Sequence, residues 1–252
     1  MNCVIFGSQS EWVPTSCNLQ SSITILIVSQ LPVFFQPMAL YRRPDPFDHP
    51  DWIFEIKHDG FRGTAYLENE HARLLSRRGK HYKSFGDLNG WIGRHLDVDN
   101  AVIDGEICCL DSEGRSQFND LLYRRGDPYF FAFDLLWLNG RDLRDLPLLE
   151  RKKKLREIVP LAPSRLLYSD HLDTRGKQLF EFACEHDLEG IVAKWKFGSY
   201  LPNSNATTWI KIKNPNYSQA EGRVEHVETR ESGKNSRSTS IRLLEPELLG
   251  VK

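Results

Sequence analysis

The chain has 252 residues, 33 basic and 34 acidic, with 40% hydrophobic and 27% charged side chains. That is too apolar for a disordered chain and too evenly mixed for a membrane protein, and it holds material for one generous domain with appendages. A formal net charge of −1 excludes a uniformly basic nucleic-acid coat but leaves room for a local basic groove. Residues 1–37 contain no Lys, Arg or His and one acid, Glu11, so all 33 basic residues and 33 of the 34 acids lie beyond them. The apolar run Ile23–Val28 has no positive charge ahead of it, as a secretory signal would need, and Ser29, Gln30 and Pro32 interrupt it before it could span a bilayer. The second of only two methionines, Met38, stands at this break. The expectation is that 1–37 is an upstream extension outside the fold and that the working protein begins at Met38, a partner-binding arm being the alternative.

From Asp51 the pattern turns strand-rich. Residues 52–57 read as a strand that stops at the turn formers Asp59-Gly60. Residues 61–67 and 72–77 form a hairpin about Glu68-Asn69-Glu70-His71. Strands follow at 101–110 and 129–138, the latter closed by Asn139-Gly140. Pro147 opens a helix to about Val159, with apolar Leu148, Leu149, Leu155, Ile158 and Val159; its Arg151-Lys152-Lys153-Lys154 run reads as a solvated face. A short strand near 165–169, a helix near 175–186, and strands about 191–194 and 209–213 complete the series. Strands outnumber helices without regular alternation, which predicts an α+β fold of mainly antiparallel sheets flanked by helices. Beyond Lys213 the chain is polar, and 214–252 is expected to be a poorly ordered tail. Five cysteines, an odd number without a C-x-x-C pair, suit a reduced, cytoplasmic protein, and no zinc site is readable.

The chemistry concentrates in Glu55-Ile56-Lys57-His58-Asp59-Gly60-Phe61-Arg62. A lysine at the end of a buried strand beside a tight turn is held at a fixed place. It is nucleophilic only as the neutral amine, which desolvation or nearby cations favour, and Lys194, Lys211 and Lys213 could supply those cations. Taken alone, such a lysine is more often a solvated strand-end residue.

Five further motifs follow in order. These are Ser76-Arg77-Arg78-Gly79, Asp104-Gly105-Glu106, Phe130-Phe131-Ala132-Phe133-Asp134-Leu135-Leu136, Glu189-Gly190-Ile191-Val192-Ala193-Lys194, and Trp209-Ile210-Lys211-Ile212-Lys213. Together with K-x-D-G-x-R, across residues 55–213, they resemble the nucleotidyltransferase (adenylation) domain of ATP-dependent DNA ligases, especially the bacterial end-joining type. The resemblance implies a ligase-type, ATP-grasp-like fold over 38–213, with ATP and Mg²⁺ (or Mn²⁺) as cofactors. It implies that Lys57 attacks the α-phosphate to form Lys–AMP, that AMP passes to a DNA 5′-phosphate, and that a nick in broken or nicked duplex DNA is sealed.

By the same resemblance Glu55 contacts the adenine edge, Phe133 stacks on the base, and Glu106 binds the ribose. Arg62 meets ribose or phosphate, and Lys194, Lys211 and Lys213 neutralise the phosphates. Arg77 grips the DNA 5′-phosphate and Glu189 holds the metal. An RNA ligase or capping-type nucleotidyltransferase shares the lysine motif, and a DNA-end-binding remnant without joining activity would keep the fold. Both remain alternatives, although the extended match from Gly140 to Leu148 speaks against the first.

The sequence departs from the family in His58, where a bulkier apolar or aromatic residue is frequent, and in Arg78, where Asn is usual. It also lacks a readable oligonucleotide-binding barrel. Residues 214–252 are too few for five strands with turns, so a separate protein supplying the barrel or end-joining functions is the implied partner.

Overall fold

The computed structural model describes residues 31–161, 163–220 and 240–244. Two sheets carry the molecule. The first, of five strands, has the order β1 (Tyr41–Arg42), β12 (Trp209–Lys213), β10 (Gly190–Trp195), β2 (Trp52–Ile56), β9 (His171–Asp173). The second has the order β4 (His71–Ser76), β3 (Phe61–Glu68), β5 (Asn100–Cys109), β6 (Pro128–Leu138), β7 (Arg141–Asp142), with β8 (Leu166–Tyr168) also paired to β6. The long pairings are antiparallel, as the alternating pattern predicts, and only the short β1–β12 and β6–β8 pairs within these sheets run parallel. A further short strand, β11 (Ala206–Thr207), pairs with β13 (Arg242–Leu243).

The β3–β4 turn places Asn69 and Glu70 at φ 49° and 65°, a primed turn whose twist matches that of the strands. Helices α1 (Gly86–His95) and α3 (Leu148–Ile158) pack on the second sheet, and α4 (Gly176–Glu185) packs on the first. A short α2 (Phe118–Tyr123) lies against β5. The largest apolar cluster joins Leu67, Leu74, Leu88, Ile92, Ile103, Phe130, Leu135 and Leu155. A second cluster brings Ile53 and Trp209 of the first sheet against Tyr66, Val102 and Leu136 of the second.

Two boundary expectations need correction. Residues 31–37 are packed into the fold rather than outside it. Phe35 is 4% exposed in the second cluster, and Gln36 exchanges backbone and amide hydrogen bonds with Asn203. Residues 1–30, with the apolar run, lie outside the described residues. Of the expected tail, 214–220 continues along the surface of the domain and is bonded to it. Asn214 donates to the Leu188 carbonyl, and the buried Tyr217 hydroxyl donates to Asp59 at 2.8 Å.

Candidate active site

The chain leaves the first sheet at Ile56 and enters the second at Phe61, so Lys57-His58-Asp59-Gly60 crosses the gap between them. This crossing needs Gly60: a Cβ there would stand 2.0 Å from the Ile107 carbonyl oxygen, so the loop lies directly on β5. Lys57 therefore occupies the junction between sheets, where it forms part of the wall of three cavities.

The surface of the first cavity is mostly apolar, although charged and polar residues contribute to its wall. Leu40, Ile56, Phe133, Val192 and Trp209 line it, together with Glu55, Lys57, His58, Arg62, Glu106 and Lys194. Its floor is a charged cluster. Glu55, 2% exposed, accepts Lys152 Nζ at 2.7 Å on Oε1 and Lys194 Nζ at 2.8 Å on Oε2. Burial would raise the Glu55 pKa, but the two ammonium groups outweigh it and hold the carboxylate below its usual range. Burial pushes Lys194 down to about 8 even though Glu55 opposes the shift. Lys194 also lies 4.3 Å from the Phe133 ring centroid and 4.2 Å from that of Trp209, which stand edge to face.

Arg62 is fixed by a fork on Asp104, at 3.1 and 2.6 Å, and Asp104 in turn accepts the Tyr200 hydroxyl at 2.6 Å. Glu106, two residues further along β5, lines the cavity beside Lys57 and Arg62. Desolvation raises its pKa to about 7, against the pull of Lys57 and Arg62. His58 stacks on Phe131, with ring centroids 3.7 Å apart. Burial lowers its pKa to about 4, so the imidazole that stacks on Phe131 is neutral.

The second cavity, on the other side of Lys57, is lined by Asp59, Arg115, Phe131, Asp187, Glu189 and Tyr217 among others. The third is basic and more open, and Arg77, Arg78, Lys211 and Lys213 meet Lys57, Tyr82 and Glu106 there. Burial lowers the Lys211 pKa, and the charges of Lys57, Lys213 and Arg77 add to the effect. Glu189 joins Lys57 to this group: it accepts Lys57 Nζ at 2.6 Å and pairs with Lys213 Nζ at 3.0 Å.

The structure thus brings Glu55, Lys57, Arg62, Glu106, Phe133 and Lys194 to one cavity, and Lys57, Arg62, Arg77, Glu106, Lys211 and Lys213 to its neighbour. It does not gather Lys194 with Lys211 and Lys213 about one point. Lys194 spends its charge on Glu55 at the cavity floor. No cluster of three or more His, Cys, Asp or Glu able to hold a metal occurs among the described residues. Glu189 is the kind of hard oxygen donor a Mg²⁺-type ion prefers, and both of its oxygens are paired here with Lys57 and Lys213.

The solvated-face reading of Arg151 and Lys152 is wrong. Both are buried: Arg151 forms a two-bonded pair with Asp134 at 2.8 Å per bond, and Lys152 holds Glu55. Sequence reading missed Asp104, Asp134, Lys152 and Tyr200. The available signal was an acid inside each of two apolar strands, Asp104 in β5 and Asp134 in β6, which requires a buried cation.

Residues 44–213 match the ATP dependent DNA ligase domain family, more than half of the chain, and the chain belongs to that family. It is 33% identical over 183 residues to the multifunctional non-homologous end joining protein LigD of Pseudomonas aeruginosa, covering 65% of this chain and 20% of the relative. To the bifunctional non-homologous end joining protein LigD of Bacillus subtilis it is 32% identical over 196 residues, covering 65% of this chain and 31% of that protein. The chain therefore spans between a fifth and a third of the length of these relatives. Among solved structures it resembles a mycobacterial DNA ligase D complexed with ATP and MES, with a TM-score of 0.64 and 29% identity over 71% of this chain and 60% of that one. The α+β nucleotidyltransferase fold expected from the motifs is the fold of this neighbour, and ATP use is the family's property.

Proposed function

We propose that this chain is the adenylating part of a DNA-joining enzyme, and the observation that carries the reading is the position of Lys57 between an apolar cavity and a basic one. A purine fits the apolar cavity, between Phe133 and Val192, with its edge toward Glu55. Glu106 and Arg62 stand where the ribose would lie, and the phosphates extend toward Lys57, Lys211 and Lys213. Lys57 Nζ then attacks the α-phosphorus, a phosphoramidate to AMP forms, and pyrophosphate leaves. Such a transfer asks the protein for alignment and charge neutralisation, which a lysine held by Glu189 and sharing a cavity with Arg77, Lys211 and Lys213 supplies.

Glu189 is the residue that would hold Mg²⁺ (or Mn²⁺), which when bound withdraws charge from phosphate oxygens. In the second step Arg77 receives the 5′-phosphate of nicked or broken duplex DNA in the basic cavity and AMP passes to it from Lys57; in the third, the neighbouring 3′-hydroxyl attacks that phosphate, the phosphodiester forms and AMP leaves. Repair of broken DNA, a cytoplasmic, nucleoid-associated setting and a separate protein supplying a barrel or end-joining functions belong to the same proposal.

The test is incubation with α-labelled ATP and Mg²⁺. The native protein is expected to become covalently labelled and Lys57→Ala is not. A native protein that takes no label overturns the reading. A chase with nicked duplex DNA is expected to release AMP and yield a sealed strand, which separates a ligase from a bare adenylyltransferase.

A further inference from the structure

Lys152 is the buried cation of the site for which the reaction has no use. It enters from α3, is 1% exposed, and is not part of the wall of the apolar cavity. Its ammonium is fully committed within the protein, to Glu55 Oε1 at 2.7 Å and to the Ser169 carbonyl at 2.9 Å, with the Tyr168 ring centroid 4.5 Å away. A buried charge of this kind is costly unless it fixes something.

What it fixes is Glu55. That carboxylate is tied at both ends, by Lys152 on Oε1 and on Oε2 by Lys194 at 2.8 Å and the Ser169 hydroxyl at 3.3 Å. A carboxylate offers about four acceptor positions, so three are filled and one remains on Oε1. Glu55 lines the apolar cavity, and that last position is the one available to a ligand there.

We infer that Lys152 is a positioning and specificity-determining residue: it holds Glu55 as a fixed, charged acceptor that admits a purine with a 6-amino group and repels one with a 6-oxo group. The inference rests on the reading that a nucleotide binds with its base edge at Glu55. A charged carboxylate accepts from an amino group but faces a 6-oxo oxygen acceptor to acceptor. Without Lys152, Oε1 is left buried and unpaired. The carboxyl then either turns toward Lys194 or takes up a proton, and a protonated carboxyl can donate to a 6-oxo group. In both cases the preference for the 6-amino base falls.

The experiment measures covalent labelling by α-labelled ATP and by α-labelled ITP, which differs in carrying the 6-oxo base, in the native protein, Lys152→Met, Glu55→Gln and the double variant. For Lys152→Met the KM for ATP is expected to rise about tenfold with kcat changed far less, and the ATP-to-ITP ratio of kcat/KM to fall about tenfold, the size of one lost hydrogen bond to a charged group. The double variant is expected to show the ratio of Glu55→Gln alone, because Lys152 acts through Glu55. A native ratio retained in Lys152→Met overturns the inference while leaving adenylation intact. A native protein labelled by neither nucleotide overturns the parent reading and this one with it. Should Lys152→Met fail to fold, the double variant removes both charges and decides: a ratio differing from that of Glu55→Gln overturns the inference.

Discussion

At Glu106 two opposing forces act on one carboxyl. Desolvation in the cavity wall disfavours the anion and outweighs the cations Lys57 and Arg62, so the group titrates near 7 instead of at its ordinary 4.5. Its charge is therefore present above about pH 7 and lost below. In the proposed role of Glu106 at the ribose, two hydroxyls are best accepted by the anion, so the KM for ATP in self-adenylation is expected to rise as pH falls through about 7, and Glu106→Gln is expected to flatten that limb. Initial rates of labelling from about pH 5.5 to 8.5 check it. The same shift sets a stability trend: the native state binds this proton more tightly than the unfolded chain, so the Glu106 contribution declines from about pH 4.5 to about 7 and is constant above. At this scale the sequence showed, through its motifs, which residues the fold gathers about one place: Lys57 shares a cavity wall with Glu106 and another with Glu189. Their supports were harder to see, because Asp104 and Tyr200 meet across 96 positions of chain, and a motif records only neighbours.

Helix α3 shows where reading by elements succeeds and where it fails. Its start at Pro147 and its apolar stripe Leu148 and Leu155 follow from the 3.6-residue period. The same period counts only apolar side chains, so it assigns Arg151 and Lys152 to solvent, whereas the long aliphatic stems carry both charges inward to Asp134 and Glu55. Arg151→Ala would strip Asp134, fully buried, of its guanidinium partner. The expected loss is about 3–5 kcal/mol, the usual cost of breaking a buried pair, and urea denaturation measures it. Adding Asp134→Asn is expected to recover part of that loss, since no charge then remains to be solvated. Helix α1 escaped notice for a different reason. Gly90 and Gly93 depress its propensity, yet Gly93 is required because a Cβ there would stand 2.0 Å from the Glu70 carbonyl oxygen of the β3–β4 turn. Tertiary contact, absent from any local window, decides that element.

Across the whole molecule the site depends on how the two sheets are tied together. The chain between them carries Lys57, the proposed nucleophile, and the ties are long-range: Tyr200 to Asp104, Arg151 to both Asp134 and the Gly198 carbonyl, and Phe133 against Trp209. Residues 31–37 belong to this arrangement. The Phe35 ring lies 6.3 Å from Tyr66 and 6.2 Å from Tyr200 between centroids, with the Arg144 guanidinium 5.2 Å from its own. The sequence placed a boundary at Met38 because the basic residues begin just beyond it, at Arg42, but charge marks solvent and not packing. A protein beginning at Met38 is therefore expected to be less stable than one beginning at Leu31 by about 3–5 kcal/mol, the cost of deleting one buried aromatic side chain. The effect should reach the site, since Tyr200 supports Asp104 and Asp104 holds Arg62. The shorter protein is expected to label with a raised KM for ATP at temperatures where it is still folded. Urea midpoints and labelling kinetics of the two proteins, measured side by side, check both effects: equal midpoints would remove Phe35 from the core, and equal KM values would cut the link from Phe35 through Tyr200 to Arg62.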